Sequence, residues 1–269
     1  MSFPPNPFKR WLQRPGHAPP LGTWLMSGAP STAEAMGFCG FDFLVLDMEH
    51  VPVDVPQAVD ILRAIAGTPA AAVVRLPWND QVTVKRVLDA GAQTLMFPFV
   101  QTPEEARRAV AYTRYPPEGV RGVAAIHRAS RYGRADDYLR RASEEICVVV
   151  QLETPDALAR LPQIAAVPGV DALFIGPGDL SAAMGRLGDV AHPEVQSALA
   201  DAAKAARAQG KPVGIVGANP DMVRRFLDYG YDFAAIGSDM AMMTTRAVEF
   251  LRVFRQDAAP GRPQIAAPY

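Results

Sequence analysis

The 269-residue chain is 49% hydrophobic and 20% charged, enough apolar material to enclose a sizeable core as one large domain or two modest ones. Its 27 basic and 28 acidic side chains leave a net charge of −1, which offers no long-range attraction to nucleic acid or anionic lipid and leaves small-molecule chemistry as the expected class. No apolar run is long enough to span a bilayer, the Pro-rich start is broken by Lys9, Arg10 and Arg14 rather than built as a signal peptide, and Cys39 and Cys147 both read as buried thiols, so a reducing cytoplasm is the expected compartment.

Residues 1–20 are expected to be irregular, and Leu21 to Met26 to form a first short strand. Ser31 as N-cap with Glu34 in the capping-box position predicts a helix from Thr32 to about Cys39. The second strand, Phe41 to Asp47, is the most informative stretch. Its unbroken apolar run, Phe43 to Leu46, leads directly into Asp47, Glu49 and His50, so a buried strand ends in ionisable groups. A helix follows at Val55 to Ala66, a strand at Ala71 to Leu76 carrying Arg75, a helix at Gln81 to Ala90, a strand at Thr94 to Phe97 and a helix at Pro103 to Tyr112. A long excursion intervenes, with a turn-rich basic segment from Arg114 to Gly122 and a short helix near Ala135 to Ala142. Regularity resumes with a strand at Ile146 to Leu152, a helix at Pro155 to Ala165, a strand at Ala172 to Ile175 and a loop through Gly188. A helix at Pro193 to Gln209, a strand at Pro212 to Val216, a helix at Pro220 to Tyr229, a strand at Phe233 to Ile236 and a helix at Ala241 to Phe254 complete the pattern, before a flexible tail, 257–269.

Eight strands, each followed by a helix, predict a single (β/α)8 TIM barrel. An open doubly wound sheet is the alternative, but the first strand is not followed by Gly-x-Gly-x-x-Gly. In a barrel the carboxyl ends of the strands share one pocket, which gathers Trp24, His50, Arg75, Gln151, Glu153, Gly178, Asp179 and Val216 with Asp47 and Glu49. Glu153 and Asp179 follow adjacent strands and can share a cation; oxygen ligands without a Cys pair or a His-x-His favour Mg²⁺ or Mn²⁺. Either carboxylate alone reads equally well as a helix cap or a surface ion pair. His50 can act as a base or be held by Asp47 for structure alone, and Arg75 suits a carboxylate or developing enolate or simply neutralises Glu49. His17, His127 and His192 are expected to be solvated. None of Lys9, Lys85, Lys204 and Lys211 lies at a catalytic strand end, so Schiff-base chemistry has no amine and an aldolase on this scaffold would need a metal.

The set Gly22-Thr23-Trp24, Asp47-Met48-Glu49-His50, Val74-Arg75, Trp78-Asn79-Asp80, Arg114-Tyr115-Pro116-Pro117, Arg121-Gly122-Val123, Val150 to Thr154 and Ile175 to Ser181 resembles the HpcH/HpaI aldolase family, in particular its 4-hydroxy-2-oxoheptanedioate aldolase branch, over roughly Leu21 to Phe254. The resemblance implies a barrel lyase that splits 4-hydroxy-2-oxo acids into pyruvate and an aldehyde with a divalent cation (Mg²⁺, Mn²⁺ or Co²⁺) and no organic cofactor. It implies Glu153 and Asp179 as metal ligands, Gln151 with the backbone of Gly178 and Asp179 as holders of pyruvate, His50 as base, Arg75 as enolate stabiliser and Asp89 as the group that raises the basicity of His50. Family members commonly have Ala at the position of Gly178, where the backbone makes the contact. Asp89 lies late in its helix, at the wrong end of its own barrel, so it would have to serve a neighbouring subunit; the resemblance implies a homohexamer of paired trimers with exchanged C-terminal helices. From the residues alone, a helix-surface ion pair serves Asp89 equally well. Trp24 and Val216 are expected to line the aldehyde pocket. A CoA-thioester lyase of the same superfamily and a non-catalytic keto-acid-binding barrel remain as alternatives, and the aldehyde, and pyruvate versus hydroxypyruvate as donor, stay open.

Overall fold

A computed structural model describes residues 3–14, 16 and 18–255. Eight parallel strands pair in sequence order: β1 (Leu21–Leu25), β2 (Phe43–Asp47), β3 (Ala71–Arg75), β4 (Thr94–Phe97), β5 (Cys147–Leu152), β6 (Ala172–Ile175), β7 (Val213–Gly217) and β8 (Phe233–Ser238). β8 bonds back to β1, which closes the barrel and removes both sheet edges. Around it run α1 (Pro7–Leu12), α2 (Pro30–Gly37), α3 (Val55–Ala66), α4 (Gln81–Asp89), α5 (Pro103–Thr113), α6 (Tyr138–Glu145), α7 (Pro155–Ala159), α8 (Leu161–Ala165), α9 (Pro177–Ala183), α10 (Pro193–Ala208), α11 (Pro220–Tyr229) and α12 (Asp239–Phe254). The predicted (β/α)8 barrel is therefore the fold found, and among the described residues no helix is long and apolar enough to cross a membrane.

The two faces of each strand serve different cores, as the period of two requires. Leu44 and Leu46 of β2, Val148 and Val150 of β5 and Leu173 and Ile175 of β6 point outward and pack under the helices. Phe43, Val45, Val73, Met96, Val149 and Phe174 point inward and fill the barrel. Followed towards the carboxyl ends, the same inward series passes from Phe43 and Val45 to Asp47, from Ala71 and Val73 to Arg75, and from Cys147 and Val149 to Gln151. Strand geometry thus delivers polar groups to one end of an otherwise apolar interior.

The amino end is closed by aromatic rings. Phe43 and Phe233 begin β2 and β8, and Gly22 and Gly214 stand where a Cβ would collide with those rings. Against them sits Phe8 of α1, 1% exposed, with ring centroids 5.2 Å from Phe43 and 5.3 Å from Phe233, both edge-on. The segment expected to be irregular thus contains a helix, capped by Asn6, whose backbone and side-chain amides bond Glu145.

Four further local expectations are corrected. α2 begins at Pro30, whose fixed φ suits a first helical position, so Ala29 and not Ser31 is the N-cap and no capping box with Glu34 forms. The single helix expected at Pro155 to Ala165 breaks at Arg160, just before Pro162, which cannot donate to the preceding turn. The loop after β6 opens with α9, again started by a proline, and Asp179 lies in its first turn instead of capping it. Cys39, expected to be buried, is exposed in the turn after α2, whereas Cys147 is buried in β5. His17 and the tail at 257–269 lie outside the described residues.

Candidate functional site

Asp47 is the organising group. Fully buried at the end of β2, it accepts both Arg75 Nε at 2.9 Å and Arg75 Nη2 at 2.7 Å, a two-point clasp that the register allows because Asp47 pairs with Arg75 across β2 and β3. Its Oδ1 also accepts the backbone N–H groups of Glu49 at 3.0 Å and His50 at 3.4 Å, which folds the loop beyond the strand. Asp47 therefore holds the His50 backbone, not its ring. The His50 ring is 59% exposed, with Nε2 3.9 Å from the Glu49 carboxylate. Arg75 Nη1 reaches the same carboxylate at 3.0 Å, and the guanidinium lies 5.1 Å from the centre of the Trp24 ring, which stacks at a tilt on Phe174 below it. Two of the five N–H bonds of Arg75 are committed to Asp47, and Nη1 pairs with Glu49 by charge without making a hydrogen bond, so the guanidinium keeps donors for a ligand.

Across the barrel mouth, Glu153 follows β5 and is 2% exposed. One carboxylate oxygen accepts the backbone N–H of Phe99 at 3.0 Å; the other accepts the Gln151 side-chain amide and lies over Gly176, where any side chain would displace it. Burial, then the charges of Asp179 and Glu49, push the Glu153 carboxyl up to about 8. Burial likewise raises Glu49. Three carboxylates thus influence one another with Arg75 as the nearby cation, and Gln151 Oε1 is buried without a partner. That is the donor set a hard divalent cation fits: two carboxylates from adjacent strands, Glu153 and Asp179, with excess negative charge beside them. Among the described residues no group of three or more His, Cys, Asp or Glu is arranged to hold a metal ion. Gly178 and Asp179 occupy the first turn of α9, where backbone N–H groups have no partner within the helix. Val216, 7% exposed on the inner face of β7, joins Trp24 in the wall.

Of the residues singled out from sequence, Asp89 does not join this cluster within one chain. It ends α4, near the amino end of the barrel, and its Oδ1 receives Arg121 Nη2 at 2.7 Å and lies 3.7 Å from His127 Nε2. His127, expected to be solvated, has a side chain only 9% exposed, set edge-on to Tyr138 at 5.0 Å, because the excursion after α5 folds back over α4. His192 caps α10 through Nδ1, accepting the Glu194 amide. Two groups carry more of the site than the sequence reading assigned. Asp47 is the Arg75 clasp, hinted at only by its place at a strand end. Asp239, 4% exposed after β8, accepts the N–H groups of Met26 at 2.7 Å and Ser27 at 3.2 Å and so shapes the loop beyond Trp24.

The HpcH/HpaI aldolase/citrate lyase family profile matches residues 21–245, most of the chain. The chain belongs to this family. The HpcH/HpaI relatives include a 2-dehydro-3,6-dideoxy-6-sulfogluconate aldolase of Pseudomonas putida, 52% identical over 241 residues that cover 90% of this chain and 94% of that protein. A 4-hydroxy-2-oxo-heptane-1,7-dioate aldolase of Klebsiella pneumoniae is 48% identical over 254 residues, covering 94% of this chain and 95% of the relative. Among solved structures, an HpcH/HpaI aldolase/citrate lyase family protein from Burkholderia cenocepacia superposes with a TM-score of 0.90 at 41% identity, covering 93% of this chain and 99% of the other.

Proposed function

We propose that this HpcH/HpaI protein is a divalent-metal-dependent pyruvate aldolase, a carbon–carbon lyase that reversibly cleaves 4-hydroxy-2-oxo acids to pyruvate and an aldehyde. The observation that carries the reading is the pairing of a buried, charge-crowded Glu153 with Asp179 at the mouth of adjacent strands, opposite the Asp47-clasped Arg75. Glu153 and Asp179 would hold Mg²⁺, Mn²⁺ or Co²⁺, which when bound supplies Lewis acidity to the 2-oxo group.

The chain's own groups do the rest. Gln151 and the first-turn amides of Gly178 and Asp179 orient the pyruvate half, and Trp24 and Val216 line the side that takes the aldehyde. His50, whose ring is 59% exposed, accepts the C4 hydroxyl proton. The C3–C4 bond then breaks, its electron pair passes into an enolate, and the N–H bonds of Arg75 not committed to Asp47 would donate to the developing charge. Reprotonation at C3 gives pyruvate, and the reverse sequence is aldol addition. Asp89 would assist His50 only from an adjoining subunit. A homohexamer of paired trimers that exchange α12 fits two features: the Asp89 side chain is 24% exposed, and α12 presents Met243, Val248, Phe250, Leu251, Val253 and Phe254 to solvent, with only Asp239 buried along its length. The same reading places the enzyme in the cytoplasm.

Exhaustive chelation followed by metal replacement is the direct test. Turnover of a 4-hydroxy-2-oxo acid should vanish and return with Mg²⁺, Mn²⁺ or Co²⁺; full activity after metal removal refutes the reading. His50→Ala should slow deuterium exchange into the pyruvate methyl group while sparing metal binding, and unchanged exchange removes His50 from its role.

A further inference from the structure

The turn after β4 contains a conformation its sequence does not favour. Phe99 has φ 53°, in the left-handed region that glycine and asparagine occupy readily and a bulky aromatic residue rarely does. Burial of the ring does not explain it. Pro98 and Val100 on either side are buried, but Phe99 itself is 41% exposed, its ring lying 6.2 Å from that of Trp78, itself 55% exposed, with 28° between the planes.

The backbone supplies the reason. With Phe99 turned this way, two consecutive N–H groups face the end of β5: Phe99 N–H donates to Glu153 Oε2 at 3.0 Å and Val100 N–H to the Gln151 carbonyl at 3.0 Å. Gln151 Nε2 takes the other Glu153 oxygen, and Gly176 keeps the space beside it clear. Glu153 is therefore fixed at both oxygens before any cation arrives. Of its two donors one is a side chain that can rotate, whereas the other is a main-chain group held there because the left-handed φ of Phe99 lets its N–H and that of Val100 both meet the end of β5.

We infer that Phe99 is a positioning residue for the cation site: its left-handed φ lets its N–H hold Glu153 Oε2 while the next N–H holds the Gln151 carbonyl, which orients that carboxylate towards Asp179, and its ring is stowed on Trp78 at the rim. This rests on the reading of Glu153 as a metal ligand. Loss of a group that orients a ligand commonly costs 10–100-fold in metal affinity.

The test is Mn²⁺ affinity of the purified protein, followed by electron paramagnetic resonance, with the melting temperature measured alongside. Phe99→Gly keeps the N–H and accepts positive φ, and should stay within about 3-fold of wild type. Phe99→Pro removes the N–H and locks φ near −65°, and should weaken Mn²⁺ by about 10–100-fold. Phe99→Val keeps the N–H but resists the left-handed region; it should weaken Mn²⁺ by about tenfold, and it decides the matter if the proline variant does not fold. Proline and valine variants that bind Mn²⁺ within 3-fold of wild type overturn the inference, as does a glycine variant as weak as the proline variant, since the ring would then be the active feature. Glu153→Gln is the control. Unchanged Mn²⁺ affinity in that variant overturns the metal reading and this inference together, whereas lost affinity there with none lost in the Phe99 variants overturns this inference alone.

Discussion

Replacing Arg75 by leucine should separate two duties that one side chain performs. Asp47 is fully buried and Arg75 7% exposed, joined at 2.9 and 2.7 Å, with a third contact from Arg75 to Glu49 at 3.0 Å. Arg75→Leu leaves the Asp47 carboxylate in place with only the Glu49 and His50 backbone N–H groups, so the loss is that of breaking a buried pair from one side, about 3–5 kcal/mol. At about 2–4 °C per kcal/mol for a chain of this size, the melting temperature should fall by about 6–20 °C. Turnover should fall independently, by about 10²–10³-fold for loss of a donor facing developing charge. The double variant Asp47→Asn/Arg75→Leu removes the stranded charge while asparagine retains an oxygen for the same two backbone N–H groups. It should regain most of the lost stability and none of the turnover. Urea denaturation at neutral pH and a coupled pyruvate assay read the two quantities. A double variant that recovers both, or an Arg75→Leu protein as stable as wild type, would falsify the assignment of separate structural and chemical roles.

Three further outcomes are expected. Gly176→Ala puts a methyl group into the Glu153 carboxylate at a backbone conformation alanine tolerates, so the fold should survive while Mn²⁺ affinity drops by about tenfold or more; unchanged affinity in a titration would show that Glu153 can move aside without loss. Arg121→Leu removes a buried cation that donates to Asp89 at 2.7 Å and Tyr138 at 2.9 Å and lies 4.6 Å from the centre of the Tyr115 ring, and should cost about 2–4 kcal/mol in urea denaturation; a cost under about 0.5 kcal/mol would mean the excursion after α5 is held by other contacts. Burial depresses the His127 imidazole below its ordinary value in spite of Asp89, so the unfolded chain takes up that proton first as pH falls. Its stabilising contribution is complete above the unfolded value of about 6.5 and is lost as pH drops below it, towards the lower folded value, so wild type should lose stability relative to His127→Gln between about pH 7.5 and 5. Parallel curves for the two proteins across that interval would rule His127 out as a source of acid sensitivity.

The barrel was legible because its signals are local. Thr94–Phe97 and Ala172–Ile175 are short apolar runs between turns, Val55–Ala66 and Pro220–Tyr229 begin at Asp-Val-Pro and Asn-Pro, and in each case the strand or helix has the bounds expected of it. The same period of two turned Arg75 and Gln151 to the inner face of the barrel, and Glu153 and Asp179 lie just beyond adjacent strands. What could not be read depends on contacts distant along the chain. α1 is anchored where Asn6 meets Glu145, 139 residues on. Composition marked His127 as solvated, yet its surroundings come from Asp89 and Tyr138 on two helices, α4 and α6. The left-handed turn at Phe99 has no signature at all, because the residue that demands it is Glu153 and not its neighbours in sequence.

The match to the family begins at residue 21, which makes Leu21 an inviting place to start a shortened gene. Phe8 argues against it. Cutting there would pull the stopper from the floor of the barrel, let water in beneath Phe43 and Phe233, and strand the partners of Asn6 on α6. A protein trimmed to the family boundary should be harder to produce than the longer one, although nothing removed lies near the chemistry.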